Sequence, residues 1–452
     1  MTVIKFLTDR FQENKDAEAI IWKNNIFTYD WLLNRVNFWC NKLNKENITN
    51  GKVVVVNADF SPESIAIFLA LTEQKVLIVP IAHPVESVKS KVISVSQAEI
   101  IITIDKKDHF EIKKLENTSD SGLYDKLREK KQPGLVLFSS GSSGEPKGAV
   151  HDLAAIYEKF KINRHQRRSI LFLLFDHIGG INTMLYTLSN AGCLVTIQDR
   201  NPHYVLSEIS RHSVDMLPTS PTFLNLMLLS NAYESHDLSC LKLVTYGTEP
   251  MTEEALKKFH RTFPQTRLQQ TYGLTEVGIL RSKSKSSDSL WVKVGGEGFE
   301  TRIVNGILHV KAKSAMLGYL NAPSPFTEDG WLNTGDRVER DGDYIKILGR
   351  DSEMINVGGQ KVNPVEVEGV VQEMENILEV TVYGEKNFIM GTIVCARVTL
   401  KKKMDSKTFT RQLKKFCRSK LENFKIPVKV ILTNERQHTR RFKKDRAKCD
   451  GA

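Results

Sequence analysis

Residues 137–150 read "LFSSGSSGEPKGAV": four serines, three glycines and one lysine behind a short apolar run. The stretch follows the strand-like "GLVLF" (134–138) and precedes the helix-like "DLAAIYEKFKI" (152–162). A Gly/Ser-rich loop between a strand and a helix is a context in which backbone N–H groups and a lysine hold phosphate. It is not the pattern that sets a Ser or Thr directly after Gly-Lys, because Lys147 lies between Pro146 and Gly148. Taken alone, the same composition also reads as a flexible linker.

On both sides of the loop, short apolar runs alternate with helix-length segments. "KVVVVN" (52–57), "VLIVPI" (76–81) and "EIIITI" (99–104) predict strands, as do "SILFLLF", "CLVTIQ", "VDMLP" and "LKLVTYG" further on. Thr28 before "YDWLLNRVNFWCNKL" predicts an N-capped helix, with Trp31, Leu32, Val36, Trp39 and Leu43 near helical spacing. The alternation predicts an α/β fold of layered, mostly parallel sheets with helices on both faces. From about residue 290, "GGEGFETRIVNGILHVKAKSAMLGYL" reads as a smaller β-ribbon or barrel-like part. "RSKSKSSDS" (281–289) reads as a polar loop. After a hairpin, "DGDYIKILGR" (341–350), comes a compact α+β pattern. Two domains are therefore expected, 1–349 and 350–452.

Composition narrows the classes of function. No apolar run approaches the roughly 18 residues a membrane span needs, and charges enter "MTVIKFLTDRFQENKD" too early for a secretory signal. Cys40, Cys193, Cys240, Cys395, Cys417 and Cys449 show no C-x-x-C spacing, so incidental thiols of a cytoplasmic protein are expected, with neither a zinc site nor a disulfide framework. The net charge of +11 is concentrated late: residues 351–452 hold 21 Lys+Arg against 13 Asp+Glu. A basic surplus without interleaved aromatics argues against nucleic acid and leaves phosphorylated small molecules or acidic proteins.

Further stretches decide between loop and linker. "YGTEP" (246–250), "TYGLTEVG" (271–278), "GWLNTGDRVERDGDYIKILGR" (330–350), "SEMINVGGQKVNPVEVE" (352–368) and "TRRFKKDR" (439–446) follow in that order. With "FSSGSSGEPKGAV" they closely resemble the motifs of the adenylate-forming superfamily of acyl- and aryl-CoA synthetases, luciferases and nonribosomal-peptide adenylation domains. The resemblance covers essentially the whole chain. It implies a mobile small C-terminal domain and ATP-dependent activation of a carboxylic acid, fatty or aromatic, to an acyl-adenylate with release of pyrophosphate. Transfer to the thiol of CoA would follow.

The resemblance also assigns residues. Ser139, Ser140, Gly141, Ser142, Ser143, Gly144 and Lys147 would grip the β- and γ-phosphates, and Thr275 the α-phosphate. Glu276 would supply a hard oxygen ligand for Mg2+. Gly247, Thr248, Glu249, Tyr272 and Gly273 would surround the nucleotide, with Asp336 and Arg350 at the ribose. Lys443 would bridge carboxylate and α-phosphate as charge builds; the neighbouring Lys444 is the alternative register. His177 would gate the acyl pocket, with Gly179, Ile181, Met184, Tyr246 and Thr271 as its walls. Asp176 is the one nearby partner for an amino-acid ammonium.

The resemblance would place Ser352 at the hinge and Gly358 and Gly359 in the loop that approaches a thiol. Two positions depart from the pattern: Ser352 where relatives have Asp or Lys, and Phe442 where they have glycine. CoA and the phosphopantetheine arm of an acidic carrier protein present the same thiol, so both remain as acceptors, as does an inactive binding relative.

Overall fold

The strand Val53–Asn57 shows how the layers arise. In the computed structural model, which describes residues 3–140, 145–387 and 391–446, Val54 and Val56 enter one apolar core and Val53 and Val55 another. Side chains alternate across a strand, so four consecutive valines require a sheet buried on both faces. The strand sits inside a seven-stranded sheet ordered Gly318–Tyr319, Pro146–Asp152, Gly134–Ser140, Leu77–Ile81, Val53–Asn57, Ile100–Ile104, Phe110–Lys114. Its central pairs are parallel.

A second seven-stranded sheet runs Arg267–Gln270, Leu243–Tyr246, Met216–Thr219, Arg168–Ile170, Cys193–Val195, Glu18–Trp22, Asn25–Thr28. Between the two sheets lie the helices Pro62–Glu73 and Ile178–Ser189, both apolar on nearly every side. Ser61 caps the first with a reciprocal bond to Ser64. The largest core joins Ile20 and Leu194 of the second sheet to Val54 and Ile78 of the first through these helices. Helices Pro202–Arg211, Pro221–Ser230 and Glu253–Thr262 pack their apolar residues into a separate core on the outer face of the second sheet. The result is a layered α/β body.

Helix Tyr29–Lys45 is capped by Thr28, whose hydroxyl accepts from Trp31 N–H at 3.2 Å. Its buried stripe is Tyr29, Leu32, Val36, Trp39 and Leu43; Trp31 falls just off it. The predicted strand at "SILFLLF" ends at Ile170, beyond which Leu171–Phe175 leaves the ladder while mostly buried. Ser282–Ser284, expected as loop, is an edge strand paired antiparallel with Trp291–Val294. An edge strand needs backbone pairing on one side only and tolerates polar side chains.

The second half contains a six-stranded antiparallel sheet that ends with Leu332–Asp341 and Tyr344–Arg350 paired as a hairpin. After Arg350 the chain makes a 3-10 turn, Asp351–Glu353. It then builds a unit of three strands (Ile377–Asn387, Gly391–Leu400, Lys429–Leu432), the hairpin Ile355–Val357/Gln360–Val362, and helices Pro364–Gln372 and Ser406–Arg418 around a core of its own. Phe442, however, joins the core on the outer face of the second sheet. The C-terminal tail thus returns to the large body.

Candidate active site

The opening loop is a hairpin connection. Gly134–Ser140 pairs antiparallel with Pro146–Asp152, so that Ser139 faces Lys147 and Ser140 faces Pro146. The expected helix starts only at Leu153, capped by Asp152, whose carboxylate accepts from Ala154 and Ala155 N–H. The strand–loop–helix reading expected that helix directly after the loop; a second strand, Pro146–Asp152, intervenes in the chain. Gly141, Ser142, Ser143 and Gly144 lie outside the described residues. Asn321 holds the lysine side of the hairpin, accepting from Gly148 N–H at 3.1 Å and donating to the Pro146 carbonyl at 2.9 Å.

Lys147 Nζ stands 5.7 Å from the ring centre of Tyr319, and the Tyr319 hydroxyl donates to the Glu276 carboxylate. Burial, and then Glu276, push the Tyr319 phenol up, so it stays a donor. Tyr319 is not among the expected residues, although "LGYL" (317–320) lies ten residues before the start of the Asp336 motif at Gly330. Thr275 and Glu276 occupy the tip between the short strands Gly273–Leu274 and Gly278–Ile279. A side chain at Gly273 would come within 2.8 Å of the Gly278 carbonyl, so the tight hairpin requires glycine. Among the described residues no group of three or more His, Cys, Asp or Glu could hold a metal. Glu276 suits an ion held by one carboxylate together with substrate phosphates, as Mg2+ commonly is.

Asp336 and Arg350 face each other across the ribbon and pair at 3.0 Å. Tyr272 donates its hydroxyl to Asp336 at 2.6 Å. Burial raises the Asp336 carboxyl, while Arg350 and Tyr272 oppose the rise. A buried carboxylate steadied from both sides has acceptor capacity left for a pair of hydroxyls. Asp336→Ala should raise the KM for ATP tenfold or more, since hydrogen bonds to a charged group contribute about 1.5–3 kcal/mol each. Initial rates against ATP concentration check this, and an unchanged KM would exclude a ribose contact.

Strands Leu243–Tyr246 and Arg267–Gln270 end side by side, bringing Gly247–Glu249 beside Thr271 and Tyr272. A side chain at Gly247 would meet the Thr271 carbonyl at 2.7 Å. Thr248 has a left-handed φ of +75° and a buried hydroxyl with no partner among the described residues. Glu249, expected beside the nucleotide, has a carboxylate that accepts from Thr222 N–H (2.8 Å), the Thr222 hydroxyl and Lys444 N–H (3.0 Å). It thereby caps helix Pro221–Ser230 and anchors the tail.

His177 is the N-cap of helix Ile178–Ser189, its Nδ1 accepting from Gly179 N–H at 3.0 Å. Burial, with Lys443 and Arg441 adding repulsion, holds its pKa well below the usual histidine range, so the ring is neutral. Ile181 and Met184 are fully buried between the two sheets, and Tyr246 belongs to the separate outer core. Ile181 and Met184 thus sit in a different core from Tyr246, on the inward face of the helix. The residue of this helix that bonds toward the Thr275–Glu276 hairpin is Asn182. Lys159 Nζ donates to Asn182 Oδ1 (2.6 Å) and to the Ile279 carbonyl (3.0 Å). Burial lowers the Lys159 pKa to about 7.

Lys443 reaches this region from the far end of the chain. Burial and Arg441 lower its pKa, Glu249 opposes the drop, and Arg350 and Glu353 lie within electrostatic reach. Lys444 points into the small unit instead, its ammonium on Glu368 (2.8 Å) and the Val380 carbonyl (3.0 Å). Ser352 lies in the 3-10 turn. Gly358 and Gly359, at φ +55° and +87°, make a turn with nothing within 4 Å of an added side chain. The turn is open to solvent and takes no part in this constellation.

Residues 7–319 match the family described as AMP-binding enzyme, and residues 366–443 match the AMP-binding enzyme C-terminal domain. Indoleacetate–CoA ligase of Aromatoleum aromaticum is 26% identical over 353 residues, covering 72% of this chain and 68% of that protein. The mitochondrial medium-chain acyl-CoA ligase of Mus musculus is 26% identical over 333 residues, 66% of this chain and 54% of that protein. The matched part thus spans about half to two thirds of these relatives. In fold, the chain resembles the anthranilate CoA ligase AuaEII in complex with anthranoyl-AMP, with a TM-score of 0.83, 20% identity, and coverage of 99% of this chain and 96% of that one.

Proposed function

Since this chain belongs to the AMP-binding enzyme family, we propose that it activates a carboxylic acid with ATP and passes the acyl group to the thiol of CoA. One observation carries the reading: the Asp336–Arg350 pair, the Glu276–Tyr319–Lys147 group and the half-buried Lys443 converge, Glu276 acting on Asp336 and Arg350 on Lys443 through their charges.

A carboxylate and a triphosphate repel each other, so the reaction needs fixed cations and alignment. An acid oxygen attacks the α-phosphorus, and the bond from that phosphorus to the departing pyrophosphate breaks. Lys147 and the serine-rich loop would hold the leaving phosphates, and Thr275 an α-phosphate oxygen. Asp336 and Arg350 would fix the ribose. Lys443 would bear on the carboxylate and α-phosphate together. Glu276 would hold Mg2+, whose bound charge offsets that of the phosphates. In the second step the thiol sulfur attacks the acyl carbon, AMP leaves, and the thiol proton passes to solvent. The acid is read as fatty or aromatic, in keeping with the names of the relatives.

We read the unit after Arg350 as the small mobile domain. CoA is the first choice of acceptor over a carrier protein. Pyrophosphate–ATP exchange across a panel of fatty, aryl and amino acids tests the activity, followed by thioester trapping with CoA or a phosphopantetheinyl carrier. Exchange stimulated by fatty or aryl acids, with a CoA thioester trapped, is the expected result. No acid-dependent exchange across the panel would sink it.

A further inference from the structure

Phe442 has a φ of +51°, in the left-handed region that favours glycine. A bulky residue is out of place there unless its side chain is held. The ring is 7% exposed. It packs against Phe172 (centroids 5.2 Å apart) and Phe223 (5.5 Å, edge-on), both in the large body. On the tail side His438 stacks on it at 5.3 Å and the Arg436 guanidinium lies 5.2 Å from its centre.

The backbone and neighbours of Phe442 are tied to the same body. Ser220 donates its hydroxyl to the Phe442 carbonyl at 2.8 Å, linking residues 222 apart in sequence. Arg441 pairs with Asp176 at 3.0 Å, and Arg440 donates to the His83 carbonyl at 2.9 Å. Glu249 accepts from Lys444 N–H. Lys443 lies between these anchors. Its own loop is closed by Thr439 N–H donating to the Lys443 carbonyl at 2.8 Å.

We infer that Phe442 is a positioning residue: its ring, locked between Phe172 and Phe223, seats Lys443 at the reacting groups. Glycine at this position would give the same backbone turn without an anchor. The chain uses a strained aromatic and gains a plug that fixes where the next side chain points. Arg441–Asp176 is the second fastener, and it makes Asp176 a holder of the tail in place of a partner for a substrate ammonium.

The functional consequence rests on the acid-activation reading; the physical seat does not. Phe442→Gly separates anchor from backbone, since glycine accepts φ +51° freely. Hydrogen exchange on the substrate-free protein should show the amides of Phe442, Lys443 and Lys444 exchanging tenfold faster or more in Phe442→Gly. Amides of the Ile377–Asn387/Gly391–Leu400 pair, a control for folding, should be unchanged. In pyrophosphate exchange the same variant should lose tenfold or more in kcat, with the KM for ATP within about twofold, and Phe442→Leu should recover most of the rate. Wild-type protection of the tail amides in Phe442→Gly overturns the seat. Faster tail exchange with an undiminished kcat overturns its positioning role. A wild-type protein silent with every acid would fail the activity reading, while the amide measurement still decides the seat.

Discussion

Lys443→Ala should reduce acid-dependent pyrophosphate exchange a hundredfold or more, while thioester formation from a supplied acyl-adenylate survives. Removing one preorganised group that meets charge developing in a transition state costs about 10²–10³ in rate. Lys443 fits that role because it is half-buried and lies within electrostatic reach of His177 and Arg350. Once the adenylate exists, the carboxylate charge has been consumed in the anhydride and the charge built up at the α-phosphorus has collapsed, so the second step does not need Lys443. Lys444 cannot substitute, its ammonium being engaged by Glu368 and the Val380 carbonyl. Arginine should rescue poorly: a planar fork does not fit where a compact ammonium is wanted. Radiolabelled pyrophosphate exchange and product trapping from synthetic adenylate measure the two halves separately. Normal exchange in Lys443→Ala would place the essential lysine elsewhere.

The largest effect on stability is expected at Glu368. Its side chain is 1% exposed and meets Lys444 at 2.8 Å and Arg446 at 3.0 and 3.1 Å, and it accepts from Val382 N–H at 2.9 Å. Arg446 continues to Glu353 at 3.0 Å. Breaking a buried ion pair from one side costs about 3–5 kcal/mol, because the partners remain buried and uncompensated. Glu368→Gln should therefore lower the thermal midpoint of the small unit by about 10 °C or more, given 4–8 °C per kcal/mol for a unit of this size. It should also loosen the tail that carries Lys443.

The pH dependence has a definite sign. Burial would raise the Glu368 carboxyl, but Lys444 and Arg446 outweigh it and the folded pKa is lowered. Its stabilisation is complete above the ordinary glutamate pKa near 4.5 and is lost as pH falls through the depressed folded value. Thermal melts of wild type and Glu368→Gln should converge toward the acid end; a constant gap across pH would contradict this assignment.

The layers were legible because strands buried on both faces announce themselves as apolar runs, as Val53–Val56 and Ile100–Ile102 do. What failed was pairing without an apolar pattern. Pro146–Asp152 and Ser282–Ser284 are held largely by backbone bonds, which leave no periodicity in side chains. At the site, Asp336, Glu276 and Lys443 stood out as members of ordered motifs. Their supports did not: Tyr319 lies 43 residues from Glu276, and Ser220 lies 222 from Phe442. The Glu249 carboxylate serves a helix end and the tail, a use that composition cannot distinguish from ligand binding. Ile181 and Met184, three apart on a helix, share the face the core claims, which spacing alone does not distinguish from a pocket wall.

The run Val53–Val56 has a consequence for how the sheet finds its alignment. Slipping a strand by one residue normally exchanges its two faces and is penalised at once. Here such a slip would replace valine by valine, so the middle of the strand cannot detect the error. The correction must come from its ends. Lys52 meets Glu99 at 2.8 Å, and Glu99 also accepts from Val53 N–H at 3.0 Å. A misaligned strand would draw that lysine toward the core and break both bonds. Proofreading of the central sheet is thus assigned to a polar clasp at its rim, which makes Glu99 a determinant of folding fidelity more than of depth of stability.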